Sequence, residues 1–201
     1  MSTEKRLKEF LEDLPILESG EMVTRHIVSR TSCVLGEAIY ADLKREIGSH
    51  FEEHDSNVVM VGSAKLGFSI KDTKRYISFG NESDIDIAIV SESLFATVWT
   101  TIFELERSGY YWEKRGEFRR YHYKGWIRPD KLPNPGSFGF AKDWWEFFRS
   151  LTTDGKYGPY KISAGLYYSW YFLEAYQRKC IEQCKAKLEL IDEDIGNEQK
   201  A

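Results

Sequence analysis

A chain of 201 residues, 42% of them hydrophobic, is long enough to bury one substantial core and short enough to be one domain with a helical appendage. With 28 basic against 32 acidic residues the net charge is −4, which argues against proteins that hold long nucleic acids through many phosphate contacts. The aromatic share of 15% is high and clusters after Tyr110, so a second packed layer is expected there rather than a disordered tail.

The first residues, Met-Ser-Thr-Glu-Lys-Arg, lack the apolar core of a secretion signal, and no window reaches the apolar length of a membrane span, so no membrane is expected. Cys33, Cys180 and Cys184 show no Cys-x-x-Cys spacing and fit a reduced, cytoplasmic setting; the last two read as ordinary helix residues. Leu7, Phe10, Leu11 and Leu14 predict a helix over residues 3–13, with Pro15 as its stop. From Glu21 to Phe51, Val23, Ile27, Val34, Leu35, Ile39, Leu43 and Ile47 predict a long helical stretch in which Gly36 marks a break or a close approach. His50 and His54 at its end read as solvated histidines rather than metal ligands.

Val58-Val59-Met60-Val61 predicts a buried strand over 57–61 that ends at a turn, Gly62-Ser63-Ala64-Lys65-Leu66-Gly67. Gly62 lets the backbone approach a phosphate, and Ser63 offers a hydroxyl and an amide to phosphate oxygens. Lys65 either adds a point charge there or is a solvated loop lysine. A P-loop is excluded, since Gly-Lys-Ser/Thr is absent. A polar spacer carrying Lys71, Lys74, Arg75 and Tyr76 leads to Ser83-Asp84-Ile85-Asp86-Ile87-Ala88-Ile89-Val90. In a strand over 84–90, side chains at i and i+2 share a face, so Asp84 and Asp86 emerge side by side while the isoleucines enter a core. Two adjacent carboxylates repel, and a pair of divalent cations about 3.5–4 Å apart is the usual way to hold them.

Val61-Gly62-Ser63 followed by Ser83-Asp84-Ile85-Asp86 resembles the signature of the DNA polymerase β-type nucleotidyltransferase superfamily. The likeness covers residues 57–90, with a longer spacer than compact members carry, and residues 64–82 are expected as a basic insertion over the nucleotide. The resemblance implies an α/β (α+β) fold, a mixed sheet flanked by helices with N- and C-terminal helical segments. It implies that Gly62 and Ser63 hold a triphosphate, with Lys65 the candidate charge beside them. It also implies that Asp84 and Asp86 hold two Mg²⁺ ions together with a third carboxylate from a later strand.

Ser91 predicts an N-cap for a helix marked by Phe95, Val98, Trp99, Ile102, Phe103 and Leu105 and ended by Gly109. Glu117 to Arg128 predicts a strand or hairpin. Asp130 is the candidate for the third carboxylate, and it is equally the start of a turn with Lys131; Glu113 and Glu117 are the alternatives. Arg119, Arg120 and Arg128 among aromatics either bind a triphosphate or short oligonucleotide or face outward from an edge strand. Pro133-Asn134-Pro135-Gly136 reads as a linker, Ala141 to Leu151 as a helix, Ile162 to Ile191 as a long helix with an aromatic stripe, and 192–201 as a frayed tail. The organisation expected is N-terminal helices over 1–56, a nucleotidyltransferase core over 57–132 and a C-terminal helical segment over 137–201.

The function implied is Mg²⁺-dependent transfer of a nucleotide from a nucleoside triphosphate, ATP or a dNTP, to a hydroxyl, with release of pyrophosphate. By size the chain resembles compact bacterial members from phage-defence or toxin–antitoxin operons. Those make a nucleotide or short oligonucleotide signal for an effector, or transfer AMP to a partner protein. A third reading is a non-catalytic binding module that has lost the third acid. The aromatic C-terminal helices would then serve a homo-oligomer or an effector.

Overall fold

Four strands form one mixed sheet: β1 (Val58–Val61), β2 (Ile85–Val90), β3 (Trp126–Ile127) and β4 (Ile162–Tyr167), in the order β1-β2-β4-β3. The structure is a computed structural model that describes residues 2–198, with side chains to residue 188. β1 runs antiparallel to β2 with Val61 opposite Asp86, β2 runs parallel to β4 with Asp86 opposite Ser163, and β3 closes the far edge antiparallel to β4. Among the described residues eight α-helices accompany this sheet: α1 (Thr3–Asp13), α2 (Ser19–Met22), α3 (Glu37–His50), α4 (Gly62–Leu66), α5 (Glu92–Arg107), α6 (Arg115–His122), α7 (Gly139–Thr153) and α8 (Trp170–Glu198). The α+β class expected from the sequence is the class observed.

The alternation of strand side chains sorts the molecule into layers. On one face Val58, Met60, Ile85, Ile87, Ile89, Ile162 and Leu166 are buried against Leu43 and Ile47 of α3, Phe95, Val98 and Ile102 of α5, and Trp144 and Phe148 of α7. On the other, Val59, Ala88, Val90 and Tyr167 pack against Leu173 of α8. A third cluster joins Phe10, Leu14, Met22, Val23 and Ile27 to Leu66, Phe68 and Ile70 and to Ile181 and Cys184 of α8. Ser91 caps α5 as its sequence suggests, its Oγ accepting from the Leu94 amide at 3.0 Å.

Three expectations are corrected. The helical stretch over 21–51 is split: α2 runs into a π-helical turn, Val23–Val28, and α3 starts afresh with Gly36 as its N-cap. Arg115–His122 is a helix, not a strand: Phe118 and His122 lie four residues apart on one side, His122 stacking on Phe95 of α5 and Phe118 meeting Trp112 edge-on. Ile162–Tyr167 is β4, not the start of the long helix, so the sheet continues past 132 and the expected segment 137–201 contributes its third strand in spatial order. Gly165 is required there: a Cβ at that position would lie 2.5 Å from Trp126 Nε1 across the β3–β4 pair. Of the tail expected to fray, residues 199–201 lie outside the described residues. No helix among the described residues is long and apolar enough to cross a membrane.

Candidate functional site

Asp86 on β2, and Asp84 just before it, point away from the isoleucine face, as their spacing requires. Both are half-buried. Because Val61 is the partner of Asp86, the chain leaving β1 passes directly beside that carboxylate. Gly62 takes φ +67, which favours glycine, and a Cβ added to it would crowd Asp86 Oδ2 at 3.1 Å. Gly62 and Ser63 open the short helix α4 rather than a turn, and Gly67, at φ +96, ends it.

The other wall of the site comes from β4. Ser163 Oγ donates to Asp86 Oδ1 at 3.1 Å, and Lys161 Nζ donates to Asp84 Oδ2 at 3.2 Å. The Lys161 carbonyl accepts from the Ile85 amide at 2.8 Å, which fixes its backbone beside Asp84. Burial pushes the Asp86 carboxyl above its ordinary value and the nearby Asp84 adds to this, against the opposing pull of Lys71, the Ser163 hydroxyl and Lys161.

The remaining candidates are elsewhere. Asp130 sits in the 3-10 turn Pro129–Lys131 that follows β3. Burial alone would raise its carboxyl, but Arg128 grips both oxygens, at 3.0 and 3.1 Å, and holds it below its ordinary value. β4 separates β3 from β2, a gap of about 10 Å at the usual strand spacing. Among the described residues no three His, Cys, Asp or Glu side chains come together as a metal-holding group, so Asp130 does not join Asp84 and Asp86. Glu117 is held by Lys131 at 2.7 Å, and Glu113 is exposed.

Lys65 fits neither of its two expected roles. It is 1% exposed, with its ammonium 5.2 Å from the centre of the Tyr40 ring. Burial, with the neighbouring cations Lys44 and Arg6, brings its pKa down to about 8. The spacer over 64–82 is not a free basic loop either. Phe68 and Ile70 are buried in the N-terminal cluster, Phe68 bridges to Ser78, and Arg75 donates to the Gln183 carbonyl of α8 at 3.3 Å. Of the second basic stretch, Arg119 is paired with Glu106 and Arg128 with Asp130, Arg128 also lying over Tyr121 and Trp126, while Arg120 is exposed with its guanidinium over the Tyr121 ring. His50 stacks on Phe147 and hydrogen-bonds Asp143, and His54 pairs with Asp55.

Lys161 and Ser163 were not legible as site residues, because their segment reads as helix. The signal that could have found them is Gly158-Pro159, a turn directly before the apolar run that becomes β4. Comparison of the chain with protein-family models, with curated proteins and with solved structures gives no match.

Proposed function

We propose that the Asp84–Asp86 face binds a nucleoside triphosphate through magnesium and transfers its nucleotidyl group to a hydroxyl. The observation that carries this reading is the pairing of Val61 with Asp86, which sets the positive-φ Gly62 at the start of α4 beside the carboxylate pair. Carboxylates suit Mg²⁺, a hard cation that needs few protein ligands because phosphate and water complete its octahedron. Asp84 and Asp86 would hold it. When bound, the ion lowers the pKa of the attacking hydroxyl and offsets charge on the phosphates.

The chain's own residues position the reactants. The amides at the start of α4 and the Ser63 hydroxyl hold phosphate oxygens, and Lys71 and Lys161 offset their charge. The acceptor oxygen forms a bond to the α-phosphorus as the bond to the bridging oxygen breaks; pyrophosphate leaves with the electron pair, and the hydroxyl proton passes to water. With a net charge of −4, a small acceptor suits the site better than a long duplex: a nucleotide, a short oligonucleotide or a partner protein's hydroxyl.

A second reading, nucleotide binding without transfer, is favoured by Ser163, which occupies the cross-strand position beside Asp86 with a hydroxyl and not an acid. Incubation with labelled NTPs and dNTPs and Mg²⁺ separates the two. Transfer predicts pyrophosphate release that falls by at least a thousandfold in Asp86→Ala and stays within twofold in Asp130→Asn. Bound but unconverted nucleotide selects the second reading, and neither binding nor release overturns both.

A further inference from the structure

The flanking strands carry no third carboxylate on the face of the pair. On the face of Asp84 and Asp86, β1 presents Val59 and Val61, and alternation along β4 brings Lys161, Ser163 and Gly165 to the same side. Two ions about 3.5–4 Å apart need bridging carboxylate oxygens for both, and here one oxygen of Asp86 already accepts from Ser163 and one oxygen of Asp84 already accepts from Lys161. The positive charge that two neighbouring carboxylates demand is therefore met in part by a side chain of the protein itself.

We infer that the Asp84–Asp86 site takes one divalent cation, not two, and that the Lys161 ammonium stands in for the second, against the polyphosphate. This rests on the reading above that a nucleoside triphosphate binds here. Lys161 is suited to the task by where it is anchored and by what it leaves free. Its backbone is fixed to β2 through the Ile85 amide, whereas its side chain is 62% exposed and its ammonium retains donors beyond the one given to Asp84. Lysine is a compact point charge on a flexible stem, which lets it follow a departing phosphate as a fixed guanidinium fork would not.

Ion counting tests this without any turnover. Mn²⁺ bound in the presence of a non-hydrolysable triphosphate analogue is counted by its paramagnetic resonance signal, on chains whose melting curves show them folded. The expected counts are one ion per wild-type chain and two in Ser163→Asp, where a carboxylate is placed opposite Asp86. Lys161→Met, a change at an exposed site, should weaken the triphosphate analogue at least tenfold while weakening a monophosphate less than threefold. Two ions on the wild-type chain would overturn the inference, as would triphosphate affinity within twofold of wild type in Lys161→Met. A wild-type chain that binds neither Mn²⁺ nor the analogue removes the nucleotide reading itself, and the inference with it.

Discussion

The two faces of the sheet are built from the same strands and do opposite things. The face of Val58, Met60, Ile87 and Leu166 is sealed by three helices, and the buried strand side chains that form it are apolar. The face of Asp84, Asp86 and Ser163 is covered over its Ala88–Tyr167 end by α8 and keeps two acids half-buried at the other end. Alternation along β2 alone makes this separation, so one strand supplies both the anchor and the chemistry. What differs is how each face tolerates change: the sealed face has only packing to lose, whereas the open face carries an electrostatic cost.

That contrast can be broken from either side. The largest loss of stability is expected on the sealed face: Ile87→Ala, at a residue 2% exposed, should cost about 2–5 kcal/mol by urea unfolding. A smaller change, of opposite sign, is expected beside that same face at Lys65. Its ammonium is buried next to Tyr40, and Lys65→Met should gain on the order of 1–3 kcal/mol at pH 7. Below pH about 8 the lysine is charged in both folded and unfolded chains and the fold carries the full cost. Between about 8 and the ordinary lysine value of 10.5 the folded chain is neutral while the unfolded one still binds a proton, so wild-type stability rises with pH and the advantage of methionine shrinks. A gain that stays constant to pH 10.5 would show that Lys65 costs nothing electrostatically.

The smallest effect belongs to the open face. Asp86→Asn keeps an acceptor for Ser163 and removes a carboxylate that burial holds above its ordinary value. The unfolded chain gives up this proton at lower pH than the folded one, so the wild-type cost builds as pH rises between the two values and persists above them. Asparagine should therefore raise the melting temperature by roughly 2–4 °C at pH 7, an advantage lost below about pH 4. A fall in melting temperature at pH 7 would mean that Asp86 is structural rather than a retained electrostatic cost.

The sequence announces the centre of the fold more clearly than its borders. β1, β2, α1, α5 and α7 carry strong local signals: runs rich in valine and isoleucine, a serine cap, a helical period closed by Pro15. The pair Asp84 and Asp86 was legible because strand parity fixes their relation without any tertiary contact. β4 was not legible, because Ile-Ser-Ala-Gly-Leu-Tyr has one β-branched residue and its apolar marks run on in helical spacing into α8. Gly165, which weakens the strand signal, is there for the ring of Trp126, a cause that lies 39 positions away in the chain. Asp130 was a reasonable candidate by order along the chain, but Arg128 two residues earlier claims it, and no periodicity reveals such a partner. α6 was misread because tyrosine and phenylalanine favour strands, while the helical pairing of Phe118 with His122 becomes meaningful only once α5 is packed beside them.

The pairing of β2 with β4 also sets an order of events during synthesis. β1 is made shortly before β2, but β4 follows only after α5, α6, β3 and α7 have emerged. Through that interval one side of β2 is an unpaired edge whose sequence, Ile-Asp-Ile-Ala-Ile-Val, is otherwise a ready template for intermolecular pairing. A charge inside such an edge is what keeps nascent chains from zipping together. Asp86, with Asp84 just before it, puts such a charge on the half-made sheet, so replacing both with apolar residues is expected to lower the soluble yield of the protein on expression.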